Sequence, residues 1–490
     1  MALKHAIINK HIYHLLWIGL CLGLFSTNAY AQNDSTIYEN YISESDIDSA
    51  NYVIIQDIIL EGNKITKERI ITRELDIKAG DSLSLSQLEE VFSSEKNKLI
   101  NTNLFETVNI TYSIEKSTYI IITITMKERW YTWPIPIFEL ADRSLSEWIN
   151  NRGADFSRVR YGIHFKRDNF RGVKETLDLL IRGGFSTLVS LKYNIPFVDK
   201  QQKTSLSFAV SYSDTKNLAY GSVNNKFVEV NLEDEIVAKK FAFSTSMGKR
   251  IGFYDYHGIG GGFYYTQIAD TVVTLNPEYL LGGRHDQQYF SLYYTYVKDM
   301  RDIRAYPLDG YYLRGNFIKY GLGIFDDLNS FMISADYFKY TPIGKGFFHE
   351  IGMVGMLSYP ALQPYALSRA LGYGTKTIRG YDNYVVEGQH LGIMKNTVRF
   401  RLLDREFELA NTKYFSKIPL GIYIKGFGDM GYIHSSVVEE QNQRLTNDLL
   451  IGWGAGIDVI TFYNSSLKLN YSFNKHDQIG RFYISIASSI

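Results

Sequence analysis

One cysteine is all that the sequence holds, and Cys21 stands inside an N-terminal segment that reads as an export signal. The chain that follows has no disulfide and no thiolate metal site open to it. Leu20 precedes the cysteine, and a lipoprotein signal wants a small residue there. Ten histidines are scattered without the spacing of a zinc hydrolase or a His-x-His ligand pair. No Gly-x-Ser-x-Gly elbow and no nucleotide-binding loop occur, so no catalytic residue, metal or cofactor is assigned. A lumen-facing hydrolase is the weakest of the readings these absences leave. Gly258-Ile259-Gly260-Gly261-Gly262 lies at a strand start, where close packing is expected rather than phosphate binding. A net excess of either charge is also missing. Lys and Arg total 52, as do Asp and Glu, which argues against nucleic acid as a partner. Beyond the signal no stretch stays apolar for some 18 residues, so no transmembrane helix is expected.

The signal is read from Lys4 and Lys10, the apolar run Leu15 to Phe25, and the small-x-small site Ala29-Tyr30-Ala31. This predicts cleavage of residues 1–31, with Gln32 first in the mature chain. Residues 32–51 are polar and acidic (Asp34, Glu39, Glu44, Asp46, Asp48), expected as a flexible leader or an acidic recognition arm.

Residues 52–128 carry the pattern of a small α+β unit of βααββ order. Tyr52 to Leu60 is β-branched and apolar, and Glu61-Gly62-Asn63 is a turn. Thr66 is positioned to cap a short helix, Lys67 to Leu75. Ser84 with Gln87 reads as a capping box opening a helix to Leu99, whose apolar face carries Leu85, Leu88, Val91, Phe92 and Leu99. Two strands follow, Val108 to Ile114 and Tyr119 to Met126.

From 129 to 490 the texture changes. Segments of about ten residues alternate apolar and polar, as in Leu206, Phe208, Val210, Tyr212, or Phe290, Leu292, Tyr294, Tyr296, or Leu467, Leu469, Tyr471, Phe473. Aromatics reach 15% with 38 Tyr, while mean hydropathy is only -0.16. Strands of this length span a bilayer when tilted, and a closed barrel leaves no backbone unpaired there. A sandwich would use shorter strands, and a solenoid would show a fixed period. The expected fold is an all-β transmembrane antiparallel barrel of about 16 strands. The even count is reached by assigning Phe227 to Leu232 to an outer loop.

Several motifs add a resemblance. Ile378-Arg379-Gly380-Tyr381 stands in a long loop, residues 359–389, between the eleventh and twelfth strands. Asp168-Asn169-Phe170-Arg171-Gly172 follows the second strand. Arg301-Asp302 with Pro307 and Gly310 precedes the ninth. Phe427-Gly428-Asp429-Met430-Gly431 lies in the thirteenth, and Gly452-Trp453-Gly454-Ala455-Gly456 in the fourteenth. In this order they resemble the outer-membrane protein assembly and secretion superfamily, with its polypeptide-transport-associated (POTRA) repeats before the barrel. Asn63 and Asn103-Leu104-Phe105 fit such a repeat. Arg399 departs from the pattern, in which a glutamate is common, and Ile490 stands where an aromatic is usual. A single POTRA-like unit favours an accessory paralogue over the main insertase.

Three candidate sites follow. A loop lock would join Arg379, Gly380 and Tyr381 to Asp429, with Gly428 and Gly431 clearing space. It would either gate the lumen or merely stiffen the barrel. A lateral seam would join a first strand holding Pro134 and Pro136 to a last strand whose Phe482, Ile484 and Ile486 face lipid. Residues 129–140 are otherwise a linker. The edge strand with Val108, Ile110, Tyr112 and Ile114 would add a client chain or partner through backbone bonds, or serve as a spacer. The resemblance implies an outer-membrane location and a monomeric barrel in contact with lipid. Its partners would be unfolded client polypeptides and periplasmic chaperones or lipoproteins, and its work insertion or export without a cofactor. The alternative is a passive outer-membrane channel or structural barrel.

Overall fold

The structure is a computed structural model describing residues 52–116, 118–140, 156–232, 235–325, 327–372, 376–408, 417–437, 442, 444–461, 465–477 and 479–487. The expected signal and leader lie outside these residues.

The N-terminal unit runs β1 (Tyr52–Glu61), α1 (Glu68–Thr72), β2 (Ser82–Ser84), α2 (Leu88–Ile100), β3 (Phe105–Lys116) and β4 (Tyr119–Glu128). Its sheet order is β2-β1-β4-β3, with β1 and β4 parallel and the other pairs antiparallel. Alternation along β4 buries Ile120, Ile122, Ile124 and Met126 against Leu88, Phe92 and Leu99 of α2. Each such side chain contributes roughly 1.5–3 kcal/mol by leaving water.

Two capping expectations fail here. Ser84 makes no side-chain cap, and α2 is entered through a 3-10 turn at Leu85–Gln87, because the preceding residues pair as β2 with β1. Thr66 caps nothing either. Its hydroxyl donates to Glu128 Oε1 at 2.6 Å and accepts from Asn169 Nδ2 at 2.8 Å, at the junction with the barrel.

The barrel strands are β5 (Thr132–Leu140), β6 (Val159–Phe170), β7 (Glu175–Gly184), β8 (Ser186–Ile195) and β9 (Thr204–Thr215). An outer hairpin follows, β10 (Asn217–Val223) and β11 (Lys226–Asn231). The wall resumes with β12 (Ala238–Ile251), β13 (Asp255–Ile268), the short α3 (Asp270–Leu275), β14 (Asp286–Asp299), β15 (Gly310–Tyr320), β16 (Ser330–Gly344) and β17 (Phe347–Tyr359). The next loop holds a small ladder, β18 (Arg369–Leu371) with β19 (Val386–Glu387). The wall ends with β20 (His390–Glu408), β21 (Lys417–His434), β22 (Leu449–Thr461), β23 (Ser465–Asn474) and β24 (Arg481–Ala487).

Sixteen of these form one antiparallel sheet from β5 to β24, with each strand bonded to its neighbour in chain order once the two inserted hairpins are set aside. The segment Phe227 to Leu232, expected as loop, is largely strand β11, but it pairs with β10 outside the wall. Contacts between elements far apart in sheet order show that the sheet is curled. Tyr306, before β15, bonds to Asp458 of β22, and Asn225 of the outer hairpin bonds to Asn442 beyond β21. The outward face carries exposed apolar side chains on strand after strand, among them Phe208, Ile259, Leu292, Ile333, Leu357 and Trp453. Such a surface is tenable in lipid and not in water. The glycine cluster in β13 serves packing, since a Cβ on Gly260 would stand 2.5 Å from the Tyr293 ring.

Candidate functional site

The loop between β17 and β20 folds into the barrel and brings Arg379 onto Asp429. The backbone turns at Gly380, where φ is +96° and a Cβ would stand 2.3 Å from the Phe473 carbonyl oxygen, so glycine is required there. Asn474 Nδ2 holds that turn by donating to Gly380 O at 2.8 Å. Arg379 then donates from Nε and from its backbone N–H to Asp429 Oδ2, at 2.8 and 3.1 Å, and from Nη2 to Oδ1. Its Nη1 donates to Thr397 Oγ1 at 3.0 Å, and the guanidinium lies 4.1 Å above the Phe427 ring. Asp429 is 2% exposed. The planar fork matches the carboxylate in a way that a lysine ammonium would not.

The neighbouring strands are shaped to receive the loop. Gly431 faces it, since a Cβ there would stand 2.5 Å from Ile378 Cδ1, while Gly428 meets nothing within 4 Å. The expectation that Gly428 clears space is therefore corrected: it adjoins Asp429 in the strand and faces the opposite side. The larger contribution comes from β22. Its inward residues Gly452, Gly454 and Gly456 form a trough against Arg379, Phe427 and Lys425 respectively. The strand motif was visible in the sequence; its role against this loop was not.

Tyr381 is 1% exposed, and its hydroxyl lies 2.7 Å from His476 Nδ1; His476 Nε2 lies 2.9 Å from Asp448 Oδ2. His476 comes from the β23–β24 loop and Asp448 from the residue before β22, and composition alone singles out neither. Arg399 faces the lumen two residues beyond Thr397. It pairs with Glu350 of β17 and leaves Arg379 untouched.

At the seam, β5 pairs with β6 from Thr132 to Leu140 without a break. Among the described residues no pairing joins β5 to β24. Pro134 and Pro136 have the same parity, so their donor-less nitrogens lie on one edge of β5. The unbroken ladder to β6 makes that edge the free one. Both prolines are exposed, as are Phe482 and Ile484. Ile486 lies in β24, and its side chain is outside the described residues.

The edge strand β3 presents its backbone at the rim of the small sheet. Val108 and Ile110 are buried and Tyr112 and Ile114 are partly buried, all four packed in the core, with Phe92 and Tyr112 ring centroids 6.0 Å apart. What remains for a partner is backbone and the opposite face, Asn109, Thr111 and Ser113.

The small unit is seated against the barrel's turns. Lys67 N–H donates to Gly172 O at 2.9 Å, and a Cβ on Gly172 would stand 2.1 Å from Ile65 O. The Asp168-to-Gly172 motif thus builds a turn that the N-terminal unit can approach closely. Arg250 Nη1 bonds both oxygens of Glu74, at 3.0 and 2.9 Å, and Arg73 lies 4.2 Å over Phe197. Burial pushes Lys174 down to about 8, against the pull of Glu74. Burial opposes the charge of Glu74, yet Lys174, Arg250 and Arg73 together hold its carboxyl below the usual range.

Two family models match the chain. The POTRA model, surface antigen variable number repeat, covers residues 53–129, and the Omp85 superfamily domain covers residues 169–490. Similar solved structures include BamA from Haemophilus ducreyi lacking POTRA domains 1–3, at 15% identity over 89% of this chain and 85% of that one, with a TM-score of 0.48. CdiB from Escherichia coli aligns at 12% identity over 89% and 75%, with a TM-score of 0.50. CdiB from Acinetobacter baumannii aligns at 13% over 89% and 74%, with a TM-score of 0.46. No curated protein matches the chain. At 12% identity the Escherichia coli CdiB likeness speaks for the fold alone.

Proposed function

The chain belongs to the Omp85 superfamily, an outer-membrane barrel with its POTRA unit in the periplasm, and from that premise we propose that it inserts or exports polypeptides through a weak seam between β5 and β24. The observation that carries this reading is the donor-poor free edge of β5 at Pro134 and Pro136, left without a pairing to β24 among the described residues. A client strand can take up such an edge by backbone pairing, and the work comes from client folding without nucleotide or cofactor. Arg379, Gly380, Tyr381 and Asp429 hold the loop in the lumen during the cycle. The POTRA unit, at the backbone of β3, receives clients, chaperones or a lipoprotein.

An open pore fits less well. The outer hairpin, the β17–β20 loop and the loop after β21 interlock over the barrel, with Asn225 bonded both to Asn442 and to the Val385 N–H. Depletion of the protein followed by a census of outer-membrane and surface proteins tests the reading. A selective fall in a set of those proteins is expected. An unchanged census with impaired uptake of small solutes would favour the channel.

A further inference from the structure

The turn between β14 and β15, residues 300–309, is held by its own hydrogen bonds. Asp302 Oδ1 accepts the Leu308 N–H at 3.1 Å, and Met300 N–H donates to Tyr311 O at 2.8 Å. Gly310, at φ +91°, admits the Met300 carbonyl, which a Cβ would meet at 2.0 Å. Asp302 and Gly310 of the motif thereby serve the turn itself. Ile303, Arg304 and Ala305 are exposed, whereas Tyr306 is buried, at 7% exposure.

Tyr306 enters the lumen from the periplasmic end. Its hydroxyl donates to Asp458 Oδ2 of β22 at 2.9 Å, and its ring centroid lies 4.9 Å from that of Tyr423 on β21. The Arg399 guanidinium lies 5.1 Å over the same ring. Asp458 is paired with Lys425, and Arg399 with Glu350. Arg399 shares its face of β20 with Thr397, which holds Arg379. The other end of the turn is gripped by the POTRA unit. Asn101, just past α2, donates from Nδ2 to Asp302 O at 2.7 Å and accepts the Arg304 N–H at 3.1 Å. A single asparagine thus clamps two backbone groups of a turn whose next residues plug the lumen.

We propose that this turn is a coupling element: the position of the POTRA unit, sensed at Asn101, is passed through Tyr306 to the Asp458–Arg399 cluster and so to the docked loop. Asn101 and Tyr306 are then positioning residues for the Arg379 lock, although neither touches it.

The test uses the full chain in liposomes, without client. Ala370 is wholly buried in the loop's own core cluster, and A370C supplies a thiol whose labelling rate reports undocking of the loop. N101A and N101S remove the clamp, and Y306F keeps the ring while losing the bond to Asp458. Each is expected to raise the labelling rate several-fold, up to about tenfold, the scale of one lost hydrogen bond. The N101A/Y306F double variant is expected to match the single ones, because both act through one element. Unchanged labelling in both Asn101 variants, or effects of N101A and Y306F that multiply, would overturn the coupling. A local structural role for Asn101 would not move a thiol on the far side of the barrel. Since no client is present, loss of transport with intact coupling would bear only on the transport reading.

Discussion

A Cβ on Gly452 would stand 1.9 Å from the carbonyl oxygen of Arg379. The loop backbone therefore occupies room that β22 provides by lacking a side chain there. G452A should expel residues 378–381 or strain the wall, at a cost of about 1–3 kcal/mol. G428A, whose Cβ meets nothing within 4 Å, should be silent. Heat-modifiability on gels checks the pair: a lowered transition for the first and an unchanged one for the second are expected.

Removing one partner of the Arg379–Asp429 pair leaves the other buried without its counter-charge. R379A and D429N should each lower stability by about 3–5 kcal/mol. R379K should recover little, because an ammonium cannot supply the fork that reaches Asp429 and Thr397 together. Unfolding midpoints in detergent give the comparison, and full recovery by R379K would contradict the geometry.

At the seam, P134V and P136V restore the two missing donors to the free edge of β5. Each restored bond should tighten closure by about 0.5–1.5 kcal/mol. The double variant should be more heat-stable than wild type and less able to support its clients. Higher stability with unimpaired client assembly would argue that the seam stays shut in function.

Lys174 gives a pH dependence. Its folded pKa of about 8 lies below the ordinary lysine value of 10.5, through burial. The seated state therefore binds fewer protons than the unseated one between these values, and seating of the POTRA unit should strengthen as pH rises through 8 toward 10.5. Protease protection of residues 129–131, followed from pH 7 to 10, should increase. In K174M it should be flat across that range and higher at pH 7, because no ammonium has to be buried.

Much of this was legible in the sequence because two codes are local. Period-two alternation states which face a strand residue takes, and glycine or asparagine at a turn states where φ is positive, as at Gly380, Gly310 and Asn169. The misplacement of Gly428 was avoidable on the same ground, since neighbours in a strand face opposite sides. What stayed hidden depends on pairing across distance. Thr66 meets Asn169 103 residues away, and no local signal separates that use from a helix cap. Tyr306 resembles any other tyrosine in a turn until the turn is seen to fold inward. Arg399 finds Glu350 only through the register of β17 with β20. The β10–β11 hairpin has strand character without wall membership, a distinction that alternation does not encode.

The most direct measurement is photocrosslinking in living cells, with a photoreactive phenylalanine at Pro136 on the free edge of β5 and, as control, at Ile259 on the lipid-facing wall of β13. The account predicts adducts with outer-membrane or exported polypeptides at position 136 and none at 259. Equal yields at both positions, or none at either while the protein supports its clients, would contradict it.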